Sequence, residues 1–271
     1  MPTMGHMPEL VSYLREARLA GDVETTRSSN HGNATAFAEG HEGYLFGLIP
    51  LKTWTLPEVL AVMAQRVGID ADPDRATGTD VIDPHKTVRA LERMRDRLRL
   101  AAERRERVLV ATGHPAGMIE VHLAIAAALR AAGCELLLPA PGAVFASLGR
   151  YDGREYQLAV RYVGGVAVAA ERGIALWHTH SPDGMRIMLA ELERQGAGLP
   201  DLVVADHGFA GAAAAAGLDV VAFADSNDPA LFIAEAEGRV SVTVPIDDNV
   251  QPHLYGPVSE FLLEGVGRRR R

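Results

Sequence analysis

Four polar clusters in the chain combine histidine, aspartate and hydroxyl side chains at spacings suited to chemistry. They occupy residues 112–117, 178–181, 206–208 and 225–228, and each follows a short apolar run that predicts a strand. Ligands of an open α/β sheet bind outside the carboxyl ends of its strands, so the four clusters predict one shared site. This arrangement favours an enzyme.

The first cluster has the pattern of an anion-binding turn. Gly113, His114 and Gly117 lie between a predicted strand and a predicted helix. Free backbone N–H groups and the helix dipole attract phosphate or carboxylate there, and glycine lets a ligand approach the backbone closely. The loop has neither the Lys-Ser/Thr ending of a Walker loop nor the three-glycine dinucleotide fingerprint. The structural alternative is a tight turn that carries a surface histidine.

The second cluster contains a His-x-His pair. If the strand continues through them, His178 and His180 project to the same side, where two imidazoles can hold a metal or grip an anion. Thr179 and Ser181 precede the next predicted helix and could bind a phosphate together with the backbone. Metal-dependent hydrolases of the barrel type carry such a pair on their first strand, whereas here it falls late in the chain.

The last two clusters supply carboxylates. Asp206 follows four apolar residues, and Asp225 and Asn227 repeat the pattern one unit later. These oxygen donors suit magnesium or manganese, so we predict all three as metal ligands. His207 or His178 would handle protons, since an imidazole can both accept and donate near neutral pH.

Other polar residues near these clusters have equally good structural explanations. Asp228 precedes Pro229, which is the pattern of a helix cap followed by proline in the first turn. Residues 247–249 follow the last predicted strand and form an acidic loop that either reaches the same site or is solvated. His122 lies on the helix after the first cluster, and we predict that it packs or faces solvent.

A long polar stretch precedes the α/β region. Residues 25–43 contain Asn30 and His31, and such a length is unusual for a connector. We therefore predict a functional or mobile segment and a candidate lid, with Asn30 and His31 available to bind substrate.

From residue 107 onwards, strand and helix patterns alternate, which requires crossover connections and a largely parallel sheet. The predicted fold class is α/β, a three-layer, Rossmann-like, mostly parallel sheet with helices on both faces. Residues 107–271 form this core. Residues 1–106 form an N-terminal helical extension, with helices over 8–20, 56–67 and 84–105, packed on the core as one structural domain.

Composition limits the classes of partner. The 271 residues carry a net charge of −8, whereas nucleic-acid binding needs a basic face; the arginines at 268–271 are expected to be a solvated tail. The lone Cys134 is predicted to be buried, without a disulfide or a catalytic thiolate. No apolar run reaches the roughly 18 residues that cross a bilayer, and the start lacks a signal pattern. We expect a cytoplasmic protein with no membrane partner, and a homo-oligomer is a candidate state.

Five segments together resemble a bacterial family generically labelled phosphatase. The resemblance implies a phosphatase and spans nearly the whole chain. In layout, the chain is also similar to metal-dependent damage-control phosphatases, which place Asp and Asn ligands at strand ends, although Asn227-Asp228 has the reverse order of their dipeptide. The segments are Asn30 with 44–48, then 111–117, 176–181, 200–208 and 225–231.

These patterns lead to one main hypothesis and two alternatives. The main hypothesis is a metal-dependent phosphatase that hydrolyses a small phosphorylated metabolite, such as a nucleotide or sugar phosphate. A bound magnesium or manganese ion would activate water and neutralise charge on the phosphoryl oxygens. The alternatives are a lyase, isomerase or cyclase that acts on a small carboxylate or sugar, and a metabolite-binding protein without catalysis.

Overall fold

The computed structural model describes residues 7–148, 153–171 and 175–267. The predictions for the N-terminal start and the arginine tail concern residues 1–6 and 268–271, which lie outside the described residues. The strands are β1 (Gly21–Thr26), β2 (Thr79–Ile82), β3 (Arg107–Thr112), β4 (Glu135–Leu136), β5 (Val144–Leu148), β6 (Glu155–Val163), β7 (Val166–Ala170), β8 (Leu202–Asp206), β9 (Val220–Ala224) and β10 (Val242–Pro245). The helices are α1 (Met7–Glu16), α2 (Arg27–Ala38), α3 (Glu42–Leu45), α4 (Leu56–Arg66), α5 (Pro84–Arg104), α6 (Pro115–Ala131), α7 (Asp183–Gln195), α8 (His207–Ala215), α9 (Pro229–Ala236) and α10 (Gly256–Leu263), with a 3-10 turn at Pro252–Tyr255.

The central sheet has the strand order β10-β9-β8-β3-β7-β6-β5, and β4 pairs with the start of β3. Neighbouring strands from β10 to β7 are parallel, whereas β6 and β5 continue the sheet in antiparallel pairing. Every residue of β7, β8 and β9 is buried, which is typical of strands covered on both faces. The predicted three-layer, Rossmann-like, mostly parallel fold is confirmed.

The helices form one layer on each face of this sheet. In one layer, α5, α6 and α10 contact one another, and α1 packs on α5. In the other layer, α8 lies between α7 and α9, and α2 and α4 pack on α9. The apolar residues of both layers join one core, which includes Met94, Ile125, Phe209 and Phe232. Cys134 is free and buried, as predicted. Within the described part of the chain, no helix is both long and apolar enough to cross a bilayer.

The region before the second polar cluster differs from the prediction. The largely apolar run at 163–168 predicts a single strand, but Gly164 and Gly165 both have positive φ and turn the chain from β6 into β7. The short apolar run at 175–177, which predicts the strand before the second polar cluster, forms only an isolated bridge between Leu176 and Ala170. The His-x-His pair therefore lies on an irregular segment and not at the end of its own strand.

The polar stretch at 25–43 is also more regular than predicted. Its first residues complete β1, which pairs with β2, and the stretch continues as α2. The Thr26 side chain caps this helix by accepting the Ser29 N–H, and Phe37 is buried against the core. Several of its polar residues are buried and hydrogen-bonded, as Asn30 is to Asp80. The functional and lid roles of the stretch stay predictions.

A buried arginine fixes α2 to the segment before β2. Arg27 is fully buried, and its guanidinium donates to the carbonyl oxygens of Asp70, Asp72 and Arg75. It also pairs with the buried carboxylate of Asp80 at 3.1 Å. One side chain thus satisfies four acceptors and holds the 70–80 segment in place.

Replacing Arg27 with methionine should lower the free energy of unfolding by about 3–5 kcal/mol, because the change removes the buried partner of Asp80. Urea unfolding followed by circular dichroism measures this loss. Arg18→Met is the matched control, since Arg18 is exposed and lies 3.5 Å from Glu24; its effect should stay below about 1 kcal/mol. Equal losses in the two variants would contradict the structural role of Arg27.

Candidate active site

Four imidazoles meet at the carboxyl end of the parallel strands, and we call them the histidine cluster: His114, His178, His180 and His207. His114 lies between β3 and α6, and His207 begins α8 directly after β8. His178 stacks on His114 with ring centroids 4.0 Å apart, and His180 stacks on His207 at 4.6 Å. The Nε2 atoms of His178 and His180 are 3.1 Å apart, so the two rings face each other although the segment is not a strand.

Backbone contacts hold the irregular His-x-His segment beside the strand ends. The Thr179 N–H donates to the carbonyl oxygen of Gly113 at 2.9 Å. The Thr179 hydroxyl lies 2.8 Å from that of Ser147 and accepts the Ser181 N–H. Ser181 in turn accepts the N–H of Asp183 at 3.2 Å at the start of α7. Thr179 and Ser181 therefore fasten this segment, and their predicted phosphate contacts stay predictions.

Three glycines allow the loops around the cluster to come this close. A Cβ atom on Gly113 would lie 2.5 Å from the carbonyl oxygen of Thr179, and one on Gly208 would lie 2.1 Å from that of His180. A Cβ atom on Gly117 would lie 1.9 Å from the carbonyl oxygen of Asp248. Backbone packs directly on backbone at all three points, so only glycine fits there.

The predicted anion loop uses its first N–H groups internally. The Gly113 N–H donates to the Asp206 carboxylate at 2.6 Å, and the His114 N–H donates to the Thr112 hydroxyl at 3.0 Å. Close packing already explains Gly113 and Gly117. Any chemical role of residues 112–117 therefore rests mainly on the His114 side chain.

Asp206 lies behind His207 and orients it. Its carboxylate accepts the Thr112 hydroxyl and the Gly113 N–H, each at 2.6 Å, and lies 3.2 Å from Nδ1 of His207. Both oxygens of this fully buried group thus face protein donors. His207 has a φ of 44°, an uncommon conformation for a residue with a side chain. The strained backbone and the Asp206 contact fix the direction of the imidazole.

Two further buried carboxylates contact the cluster from the opposite side. The Nε2 atom of His207 lies 3.3 Å from Oδ2 of Asp228 and 3.3 Å from Oδ2 of Asp248. The other Asp248 oxygen, Oδ1, lies 3.2 Å from Nδ1 of His114. Sequence reasoning left both residues open, because Asp228 also fits a helix cap and Asp248 lies in an acidic loop that either reaches the site or is solvated. Asp228 follows β9, which pairs with β8, and Asp248 follows β10, which pairs with β9; these positions are the signal that could have identified them.

These contacts shift the titration of the cluster. Burial lowers the pKa of His207, but the carboxylates of Asp228, Asp206 and Asp248 raise it well above its usual value. His178 is solvent-exposed, yet partial desolvation and the charges of His207 and His114 lower its pKa to about 3. His178 is therefore a neutral imidazole at pH 7.

The structure places the two other predicted metal ligands beside this cluster and not in it. Asp225 accepts the hydroxyl of Thr25 at 2.5 Å and the N–H of Ser226 at 2.6 Å. Burial, followed by the charges of Asp248 and Asp247, raises the pKa of its carboxyl. The Asn227 side chain donates to Ser29 at 3.0 Å. Asp225 thus connects the end of β9 to β1, and Asn227 connects it to the start of α2.

Of the two residues predicted from the polar stretch, one reaches the strand ends and the other does not. Asn30 is buried, donates to Asp80 and accepts the hydroxyl of Ser226 at 3.0 Å. Its side chain therefore braces α2 against the end of β9. The His31 ring contacts the carbonyl oxygen of Pro73 at 2.8 Å, on the side of the 70–80 segment.

An aromatic residue that sequence reasoning did not assign to the site completes one wall. The ring of Phe46 contacts His180 edge to face, with centroids 5.0 Å apart, and His207 at 5.6 Å. Its backbone is close to α8, because a Cβ atom on Gly211 would lie 2.1 Å from the Phe46 carbonyl oxygen. Phe46 thus shields one side of two imidazoles from water.

The cluster fits a metal ion. Two groups of donors, His114 with His178 and His207, and His180 with His207 and Asp228, each bring three ligand atoms within 4.8 Å of one another. Nδ1 of His114 and Oδ2 of Asp248 are buried and make no hydrogen bond within the described residues. A cation between such atoms would satisfy them, since imidazole and carboxylate are both common metal ligands.

Comparison with known proteins identifies the family. Residues 6–270 match the family described as Phosphatase. A protein of Streptomyces coelicolor named Phosphatase SCO2771 is 49% identical over 261 residues, which are 96% of this chain and 95% of that protein. The chain therefore belongs to the Phosphatase family. The resemblance predicted from the sequence is confirmed.

The glycine contacts predict opposite effects for two Gly→Ala variants in helices. Gly208→Ala should lower the free energy of unfolding by roughly 1–3 kcal/mol, because its Cβ has no room beside His180. Gly32→Ala in α2 is the control: a Cβ there meets nothing within 4 Å, and alanine should stabilise the helix by roughly 0.5–1 kcal/mol. Urea unfolding measures both changes, and effects of the same sign would contradict this role of Gly208.

Proposed function

We propose that this member of the Phosphatase family is a metal-dependent phosphatase that hydrolyses a small phosphorylated metabolite, such as a nucleotide or a sugar phosphate. The observation that carries the proposal is the convergence of four imidazoles with the buried carboxylates of Asp228 and Asp248. Buried charges need a partner, and a divalent cation is one that phosphatases also use for catalysis. The family match supports the reaction class.

The histidines, together with Asp228 and Asp248, would hold the metal. When bound, a divalent ion supplies a Lewis acid that polarises phosphoryl oxygens and lowers the pKa of water. Magnesium prefers a shell of oxygen atoms, whereas imidazoles suit zinc, iron and related ions, and manganese accepts carboxylates readily. The mixed donor set therefore favours manganese over magnesium among the two ions expected from the sequence, and it adds zinc and iron as candidates.

Asp206 is proposed to act as a positioning residue and not as a ligand. Burial raises the pKa of the Asp206 carboxyl, but the contacts with His207 and the charge of His122 outweigh burial and bring the pKa below its usual value. Asp206 is therefore ionised. An ionised acceptor holds a hydrogen of His207 on Nδ1, so Nε2, which faces Asp228 and Asp248, is the ring nitrogen on which a metal would replace a proton. A carboxylate behind a ligating histidine is a common way to set its tautomer and its orientation.

The substrate would reach the cluster from the side of His178, its solvent-exposed member. The site lies at strand ends, where α/β proteins bind small molecules, and the net charge of −8 disfavours a nucleic-acid substrate. A neutral His178 offers a lone pair at pH 7. The proton roles of His178 and His207 stay predictions from the sequence.

A screen of phosphomonoesters tests this proposal. The protein is stripped of metal with EDTA, reloaded with manganese, zinc or magnesium, and assayed for phosphate release. We expect release with at least one metal, and we expect Asp206→Asn to reduce kcat/KM by about 10- to 100-fold, since the change weakens the hold on His207. Asp201→Asn is the matched control, because Asp201 lies at the opposite end of β8 and binds the Arg107 N–H.

Four results would reject the proposal or part of it. No phosphate release with any metal rejects the phosphatase. Equal activity of the Asp206→Asn and Asp201→Asn proteins rejects the positioning role. If chromatography shows that a substrate is converted without phosphate release, the protein is a lyase, isomerase or cyclase. If a metabolite raises the thermal stability of the protein without being turned over, the protein is a binding protein.

A further inference from the structure

The histidine cluster and its carboxylates contain donors for more than one ion. The two donor groups, His114 with His178 and His207, and His180 with His207 and Asp228, share only His207. Nδ1 of His207 faces Asp206, so one ring nitrogen is left for a ligand. That nitrogen, Nε2, lies 3.3 Å from Oδ2 of Asp228 and therefore belongs with the second group. His114 and His178 remain as a separate pair.

Asp248 connects the two groups. Its Oδ1 lies 3.2 Å from Nδ1 of His114, and its Oδ2 lies 3.3 Å from Nε2 of His207. Asp248 and His114 are each only 5% exposed, yet His114 Nδ1 and Asp248 Oδ2 make no hydrogen bond in the described part of the chain. Polar atoms that lie this close without forming a hydrogen bond are expected where both atoms are directed at a metal ion between them.

We propose that the cluster binds two metal ions and that Asp248 bridges them. His114, His178 and Oδ1 of Asp248 form the first position. The second position consists of His180, His207, Asp228 and Oδ2 of Asp248. The inference rests on the proposed function in so far as it assigns the metal dependence to this cluster.

The buried charge around the cluster supports two cations. Asp225, Asp228, Asp247 and Asp248 are all at most 5% exposed. Within the described residues, the ion pairs of Asp228 and Asp248 are with histidines only. Uncompensated buried carboxylates are costly, and two divalent ions would offset several of them. Paired ions about 3.5–4 Å apart are also a recurrent arrangement in phosphatases, where they stabilise the attacking and leaving oxygens.

Manganese is the probe for this proposal, because it reports both number and proximity. The full chain is stripped of metal, incubated with excess manganese and separated from unbound ions. Elemental analysis then gives the manganese content per chain, and electron paramagnetic resonance shows whether the ions are exchange-coupled. We expect two ions per chain and a spectrum of a coupled pair.

Two variants of neighbouring residues test the bridge. Asp248→Asn should abolish the coupled spectrum, because an amide does not bridge two cations as a carboxylate does. Asp247→Asn is the matched control: the residue is equally buried, its carboxylate accepts the Asn249 N–H, and the variant should keep two coupled ions. His178→Gln should halve the manganese content, because His178 belongs to the first position only. Since His178 is exposed, this variant still tests the proposal if the Asp248 variant does not fold.

The outcomes separate this inference from the phosphatase proposal. One ion per chain, no ion, or two uncoupled ions in the wild-type protein would overturn the two-metal site, as would a coupled spectrum in Asp248→Asn. If the one-ion protein released phosphate, the proposed function would stand alone. Two coupled ions in a protein that releases no phosphate would support the site and reject the function.

Discussion

The buried carboxylate of Asp206 is the constraint on which the site depends. A charge with no exposure to water must be matched by donors, and Asp206 draws them from two adjacent strand ends: the Thr112 hydroxyl, the Gly113 N–H and His207. These bonds align the ends of β3 and β8 and hold His207 in a strained backbone conformation. The direction of His207 Nε2 is a consequence of that alignment. Asp228 and Asp248 can share a ligand with His207 only because Nε2 points toward them.

Close backbone contact is the second requirement, because the ligands come from segments far apart in the sequence. Gly113, Gly117 and Gly208 each face a carbonyl oxygen at a distance that excludes any side chain. In the sequence pattern, Gly113 and Gly117 had indicated a phosphate loop, since a glycine needed for a ligand and a glycine needed for a neighbouring loop look alike. Only the tertiary contacts separate the two roles.

Much of the fold was predictable, because β3, β8 and β9 are continuous apolar runs between helices and such runs specify buried parallel strands. The ends of these strands placed His114, Asp206 and Asp225 near one another. The prediction failed where non-local contacts decide: α2 is polar because Asn30 and Arg27 are buried in hydrogen bonds, and the His-x-His segment is held by Thr179 without a strand of its own. Local patterns contain neither contact.

The contrast between His114 and His122 shows what distinguishes a ligand from a packed histidine here. Both are buried, and each has a ring nitrogen without a hydrogen bond within the described residues. His122 donates Nδ1–H to the Met118 carbonyl oxygen within its own helix and packs on Phe223, and its Nε2 lies 3.8 Å from Oδ2 of Asp206. Burial nevertheless outweighs this carboxylate and lowers the pKa of His122. His114 instead stacks on a second imidazole and contacts a carboxylate that also faces a third. Packing accounts for the surroundings of His122. The surroundings of His114 bring like dipoles and charges together, and a bound cation would offset the free-energy cost of that arrangement.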